Sequence, residues 1–93
     1  MDIGFDPQKN ERNIRERGLS FERAAEFDFT TAVFSIDTRR DYAETRIVAF
    51  GYLDRRLHAL CFVETATVIR VISFRRANSR EARDHGKSQT IDR

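Results

Sequence analysis

At 93 residues and 10.9 kDa the chain has room for one small core and no second domain. The apolar share is 40% and the charged share 34%, and the apolar runs are short. The longest, Ile47-Val48-Ala49-Phe50 and Leu60-Cys61-Phe62-Val63, fall far below the roughly 18 residues of a membrane span. A net charge of +2 argues little by itself, and a single cysteine, Cys61, with only His58 and His85 beside it, excludes an internal disulfide and a zinc-ligand spacing.

The N-terminus, Met1-Asp2-Ile3-Gly4-Phe5-Asp6, is acidic and lacks the basic-then-apolar order of a targeting segment, so a cytoplasmic location is expected. Asp6-Pro7 is an N-cap carboxylate followed by proline at the first helical position, and Gly18 supplies a left-handed stop. The spacing predicts a polar surface helix from Pro7 to Arg17. Ser20 caps a second, shorter helix whose Phe21, Ala24, Ala25 and Phe27 form a face fit for burial on a sheet. Residues 28 to 45 read as a loop containing an edge strand at Val33-Phe34-Ser35-Ile36, with Asp37 to Asp41 as a charged turn. Strand periodicity follows: Arg46 to Leu53, a turn at Asp54-Arg55, Arg56 to Glu64, and Thr67 to Phe74. Strict alternation along the last strand places Val68, Arg70, Ile72 and Phe74 on one side and Ile69, Val71 and Ser73 on the other. A final helix runs from Ser79 to His85 and ends at Gly86.

The expected fold is α+β: two N-terminal helices packed on a small antiparallel meander, with a C-terminal helix. The expected domain spans residues 1–86, and residues 87–93 read as a frayed tail. Charge is unevenly spread. Residues 1–46 carry 8 basic against 10 acidic side chains, whereas residues 47–93 carry 9 against 5. Of the 17 basic residues 15 are arginines, whose planar fork suits phosphate, although GC-rich codon usage accounts for the same ratio. A strand-borne arginine among apolar neighbours loses hydration unless an anion meets it. Arg46, Arg70 and the Arg75-Arg76 pair are the cases here, with Glu44 and Glu64 as internal partners within reach of Arg70. His58 reads as a satisfied or solvent-facing histidine and Cys61 as packing.

The order Asp6-Pro7, Lys9, Asn13, Gly18-Leu19-Ser20-Phe21, Ala24, Glu44-Thr45-Arg46, Gly51, Arg70-Val71-Ile72-Ser73-Phe74-Arg75-Arg76-Ala77 and Glu81 resembles the BrnT family of small type II toxins. The resemblance covers about residues 3 to 85. It implies a ribonuclease with a RelE-like fold, growth inhibition, and a BrnA-type antitoxin carrying a ribbon-helix-helix part. The toxin–antitoxin complex is expected to double into a heterotetramer. Two departures stand out: Glu16-Arg17-Gly18 where the family usually reads Lys-His-Gly, and His85 where it often has a tyrosine.

RNA cleavage by attack of its own 2′-hydroxyl needs a proton acceptor, cations around the phosphate and a donor to the leaving oxygen, but no metal. The candidate catalytic residues are therefore Arg46, Arg70, Arg75, Glu81 and His85, with Lys9, Arg17, Arg76 and Arg80 as RNA-binding candidates. His85, His58 and Glu81 are the possible bases, and no cofactor or metal is called for. The competing class is a catalytically degenerate module that only docks a protein or nucleic-acid partner. A sequence-specific DNA binder fits less well, because residues 7 to 27 offer no basic recognition helix. Val68, Ile72 and Phe74, beside Arg70, form the expected antitoxin-docking strip.

Overall fold

The computed structural model describes residues 2–91. Strand β1 (Asp2–Phe5) leads into helix α1 (Pro7–Arg17), a 3₁₀ helix (Phe21–Glu26), strands β2 (Val33–Ile36), β3 (Ile47–Leu53), β4 (Arg56–Glu64) and β5 (Val68–Arg76), and helix α2 (Ser79–Asp84). The strands form one sheet in the order β1-β5-β4-β3-β2. The β2–β3, β3–β4 and β4–β5 pairs are antiparallel, but β1 runs parallel to β5, Asp2 facing Val68 and Phe5 facing Val71.

This corrects the expected antiparallel meander under two helices: the sheet is mixed and five-stranded. Strand β1 was illegible because its pairing is long-range and because Gly4, a poor strand former, sits in its middle. A Cβ at Gly4 would stand 2.8 Å from Val68 Cγ1, so the parallel pairing needs a residue without one. Only one N-terminal α-helix is present. The segment after Ser20 is 3₁₀, with Arg23 N–H donating to Ser20 O and Phe27 N–H to Ala24 O. Its buried residues, Phe21, Ala24 and Phe27, recur every third position, the 3₁₀ period, while Ala25 is exposed.

Local signals fix the other boundaries. The Asp6 carboxylate caps α1 by accepting from Gln8 N–H, and Gly18, at φ +64°, closes it with an N–H donated to Ile14 O. The β3–β4 turn holds Asp54 and Arg55 at φ 50° and 62°, the left-handed pair that tight hairpins use. Helix α1 is almost wholly polar, and amides fasten it where apolar side chains do not. Asn13 Nδ2 donates to Leu19 O at 2.9 Å and to Phe74 O at 3.0 Å, and Asn10 Oδ1 accepts from Phe21 N–H at 2.7 Å.

A β-bulge in β5 decides what each face of the sheet carries. Leu60 faces Phe74 and Cys61 faces Ser73, but Phe62 faces Val71, which leaves Ile72 as the extra residue. Side chains before the bulge keep their alternation, and those after it are inverted. Phe74 therefore joins Ile69 and Val71 in the main core with Leu19, Phe21, Ala24, Phe27, Ala49, Leu53, Leu60 and Phe62. Arg70, Ser73 and Arg75 share the opposite, outer face. The expected docking strip of Val68, Ile72 and Phe74 beside Arg70 does not exist, since Phe74 is fully buried on the other side. On the outer face a smaller cluster of Phe50, Leu57, Ala59, Ala77 and Ala82 lies under α2.

Residues 87–91, expected to fray, are tied to the sheet: Leu57 N–H donates to Gln89 O, Ile91 N–H to Arg55 O, and Tyr52 Oη to Ser88 O. Asp92 and Arg93 lie outside the described residues. The inverted alternation makes a direct prediction. Phe74→Ala should cost about 3 to 5 kcal/mol, the value for emptying a packed aromatic site, whereas Phe34→Ala on the exposed strand β2 should change stability by about 0.5 kcal/mol or less. Urea unfolding of both variants measures the difference, and equal small effects would return Phe74 to the outer face.

Candidate active site

The register of β3, β4 and β5 orders the outer face in cross-strand rows. One row is Phe50, Ala59 and Arg75, and the next is Val48, Cys61 and Ser73. Beyond them Val63 faces Arg70, and Arg46, one residue before β3, continues the alternation of Val48 and Phe50 on the same face. With strands about 4.8 Å apart, Arg46 and Arg70 lie at positions separated by roughly 10 Å across the sheet. A cleft of about 360 Å³ is lined by Ser35, Asp37, Arg39, Cys61, Arg75 and Glu81 among others. Burial pushes the Cys61 thiol up, so it serves as an apolar floor.

Each arginine here is held differently. Arg75 makes a two-pronged pair with Glu81, Nη1 to Oε1 at 2.8 Å and Nη2 to Oε2 at 2.7 Å. Glu81 also accepts Asn78 N–H at 3.0 Å and so completes the capping box of α2. The Arg75 guanidinium brings the Glu81 carboxyl down to about 2 against the opposing effect of burial. Arg70 pairs with Glu44 on the loop before β3, both side chains being nearly half exposed. Glu64, opposite Ile69, belongs to the other face. The Arg46 guanidinium stands 4.0 Å from the Tyr42 ring centroid, a cation–π contact, and has no carboxylate partner among the described residues.

Asp37 organises the loop that carries these groups. Its side chain is 2% exposed and accepts from Arg39 N–H at 3.2 Å, Arg39 Nε at 2.9 Å, Arg39 Nη2 at 2.8 Å and Tyr42 Oη at 3.2 Å. The Arg39 guanidinium holds this carboxyl well below the usual carboxylate range. Tyr42, fixed at its hydroxyl by Asp37, in turn presents its ring to Arg46. Sequence reasoning treated Asp37 to Asp41 as a charged turn and missed Asp37, Arg39 and Tyr42. The available signal was an Asp two residues before an Arg, the spacing of a side chain folding back on its own turn.

His85, at the end of α2, stacks on Phe50 with ring centroids 4.1 Å apart and 24° between planes. All five candidate catalytic residues, Arg46, Arg70, Arg75, Glu81 and His85, thus belong to the outer face or to the helix over it. Three of the four RNA-binding candidates lie elsewhere. Lys9 and Arg17 line a groove beside Ile72 on the α1 side, Arg76 shares a second pocket with Arg17, and Arg80 is exposed on α2. His58 faces away as well, buried opposite Arg76, with burial pushing its pKa down. Among the described residues no three His, Cys, Asp or Glu side chains gather closely enough to hold a metal ion. Among these residues no helix is long and apolar enough to cross a membrane.

The Arg75–Glu81 pair sets a pH dependence. Glu81 has an ordinary carboxyl value of 4.5 and is held near 2 in the folded chain, so its contribution is present above about pH 4.5 and is lost as the pH falls toward 2. Allowing for the solvent that reaches Arg75, Glu81→Gln should lower stability at pH 7 by about 1 to 2 kcal/mol. That difference should close as the pH approaches 2. Thermal unfolding of both forms from acid to neutral pH checks it, and a gap independent of pH would mean that the charge is immaterial.

No curated protein matches the chain. A family model described as the ribonuclease toxin BrnT of type II toxin–antitoxin systems matches residues 5–81, a stretch that runs from the last residue of β1 through both N-terminal helical segments and strands β2 to β5 to the first residues of α2. The chain therefore belongs to the BrnT family of ribonuclease toxins of type II toxin–antitoxin systems.

Proposed function

We propose that the outer sheet face cleaves RNA without a metal, by attack of a ribose 2′-hydroxyl on the adjacent phosphate. Arg46, Arg70 and Arg75 surround the phosphate and stabilise the charge that develops on it. His85 accepts the 2′ proton as the 2′ oxygen bonds to phosphorus, the bond from phosphorus to the 5′ oxygen breaks, and that oxygen takes a proton from solvent, giving a 2′,3′-cyclic phosphate and a free 5′-hydroxyl. The observation that carries this reading is that the bulge at Ile72 puts Arg70 and Arg75 on the same side as Arg46. Glu81 is a poor base, being ionised down to about pH 2 and bound on both oxygens; it is a positioning residue that orients Arg75. Lys9, Arg17, Arg76 and Arg80 hold the flanking strand.

In the free chain Arg70 and Arg75 are already paired to carboxylates, so a phosphate must displace or share Glu44 and Glu81. The same fact favours a second reading, a catalytically degenerate module whose arginines serve structure only. In the first reading a type II partner, a BrnA-type antitoxin with a ribbon-helix-helix part, supplies carboxylates to these arginines in the cytoplasm. Its two-fold contact doubles the complex into a heterotetramer. Induction of the toxin alone should arrest growth with fragmented RNA. Normal growth with intact RNA would support the degenerate module.

Two measurements on the purified chain follow. Arg70→Gln should reduce RNA cleavage by about 100-fold, while stability changes by about 1 kcal/mol or less because the Glu44 pair is exposed. A proportionate fall in both would reduce Arg70 to half of a structural ion pair. His85→Gln should cost about 100-fold or more in rate, and cleavage by the unaltered chain should survive EDTA. Loss of cleavage in EDTA would overturn the metal-free mechanism.

A further inference from the structure

The opposite face of the sheet carries a second basic site at the far end of β4 and β5. A pocket of about 580 Å³ opens between the C-terminus of α1, the β3–β4 turn and these strand ends. Its lining includes Arg17, Arg56, Arg75 and Arg76 around the buried His58. The only carboxylate lining it is Asp54, which is already bound by Arg23, Nη1 to Oδ2 at 2.7 Å and Nη2 to Oδ1 at 3.0 Å. Arg17, Arg56 and Arg76 have no ion pair among the described residues, and Arg56 Nε is buried without a hydrogen-bond partner.

A buried guanidinium N–H left unmet is costly, and three unpaired guanidinium groups around one cavity repel one another. An anion with several acceptor oxygens relieves both. His58 cannot, because its Nδ1 lies 2.7 Å from Arg56 O and burial disfavours its charged form. Two neighbouring features join the pocket to the rest of the basic surface. Arg17 also lines the groove with Lys9 and Arg12, and Arg75 also lines the cleft on the outer face. A row of basic side chains therefore runs from α1, with Glu16 among them, around the end of β5 to the outer face, where Arg75 is paired with Glu81.

We propose that the pocket formed by Arg17, Arg56 and Arg76 binds a backbone phosphate of the RNA strand, outside the scissile one, and so anchors the strand as it passes around the end of β5. The assignment rests on the ribonuclease reading and adds a second phosphate subsite to it. A fluorescent single-stranded RNA carrying 2′-O-methyl riboses binds without being cleaved, which separates this claim from the chemistry. Arg56→Gln and Arg76→Gln should each weaken its binding about tenfold and reduce the slope of log K against log salt by about 0.7 per arginine. Arg15→Gln, on exposed α1 outside the pocket, serves as the control.

The His58 ring resonances, followed by NMR, report the pocket directly. They should shift with the RNA and with inorganic phosphate in the unaltered chain, and the phosphate response should disappear in Arg76→Gln. A shift with inorganic phosphate but none with RNA would make this a free-anion site and overturn the assignment. Unchanged affinity and salt slope in both pocket variants, with the melting temperatures intact, would overturn it also. If the variants lose RNA affinity while the unaltered chain never cleaves RNA, the subsite stands and the ribonuclease mechanism falls.

Discussion

One extra residue in β5 decides which of its arginines share the outer face of the sheet. Arg70 and Arg75 are five positions apart, an odd number, so strict strand alternation would send them to opposite faces of the sheet. The bulge at Ile72 inserts the residue that brings both to the same face, opposite Val63 and Ala59, while Phe74 turns inward to fill the core. The same shift sends Arg76 to the other side, across from His58. Packing and the proposed site are thus coupled at a single point: the register that buries Phe74 also puts the two arginines on one face.

Much of the frame was written locally and could be read. The Asp6-Pro7 cap, the Gly18 stop and the Asp54-Arg55 turn each rest on residues within a few positions of one another. What escaped the reading depended on distant partners. Strand β1 acquires its identity only from β5, and its central glycine speaks against a strand until Val68 is seen pressing on it. The bulge is invisible in Arg70-Val71-Ile72-Ser73-Phe74 because every residue there suits a strand, and only the demand of the core for Phe74 selects the inverted register. The 3₁₀ segment was misread as an α-helix because Ala25 fits an α-helical face as well as Ala24 does, yet only Ala24 is buried.

The candidate site was legible residue by residue but not as an arrangement. Arg46, Arg70, Arg75, Glu81 and His85 stood out by type and order, and they lie along the outer face or on the helix over it; Lys9, Arg17 and Arg76 stood out equally and lie on the α1 side or the reverse face. Burial and pairing then separate roles that sequence leaves equivalent. Glu81 and His85 are both titratable and four residues apart, but Glu81 is committed on both oxygens to Arg75 and to the helix cap, whereas His85 rests against Phe50. Asp37, unremarkable in a charged turn, is almost fully enclosed and fixes Arg39 and, through Tyr42, the approach of Arg46.

If Arg46, Arg70 and Arg75 act on one phosphate from one face, one bound strand must perturb all three. The side-chain Nε–Hε signals of the arginines, resolved by ¹⁵N NMR and followed during titration with an uncleavable single-stranded RNA, test it most directly. The signals of these three arginines should move together along a single binding curve. Saturation that leaves all three in place, with changes confined to the arginines of α1, would contradict it.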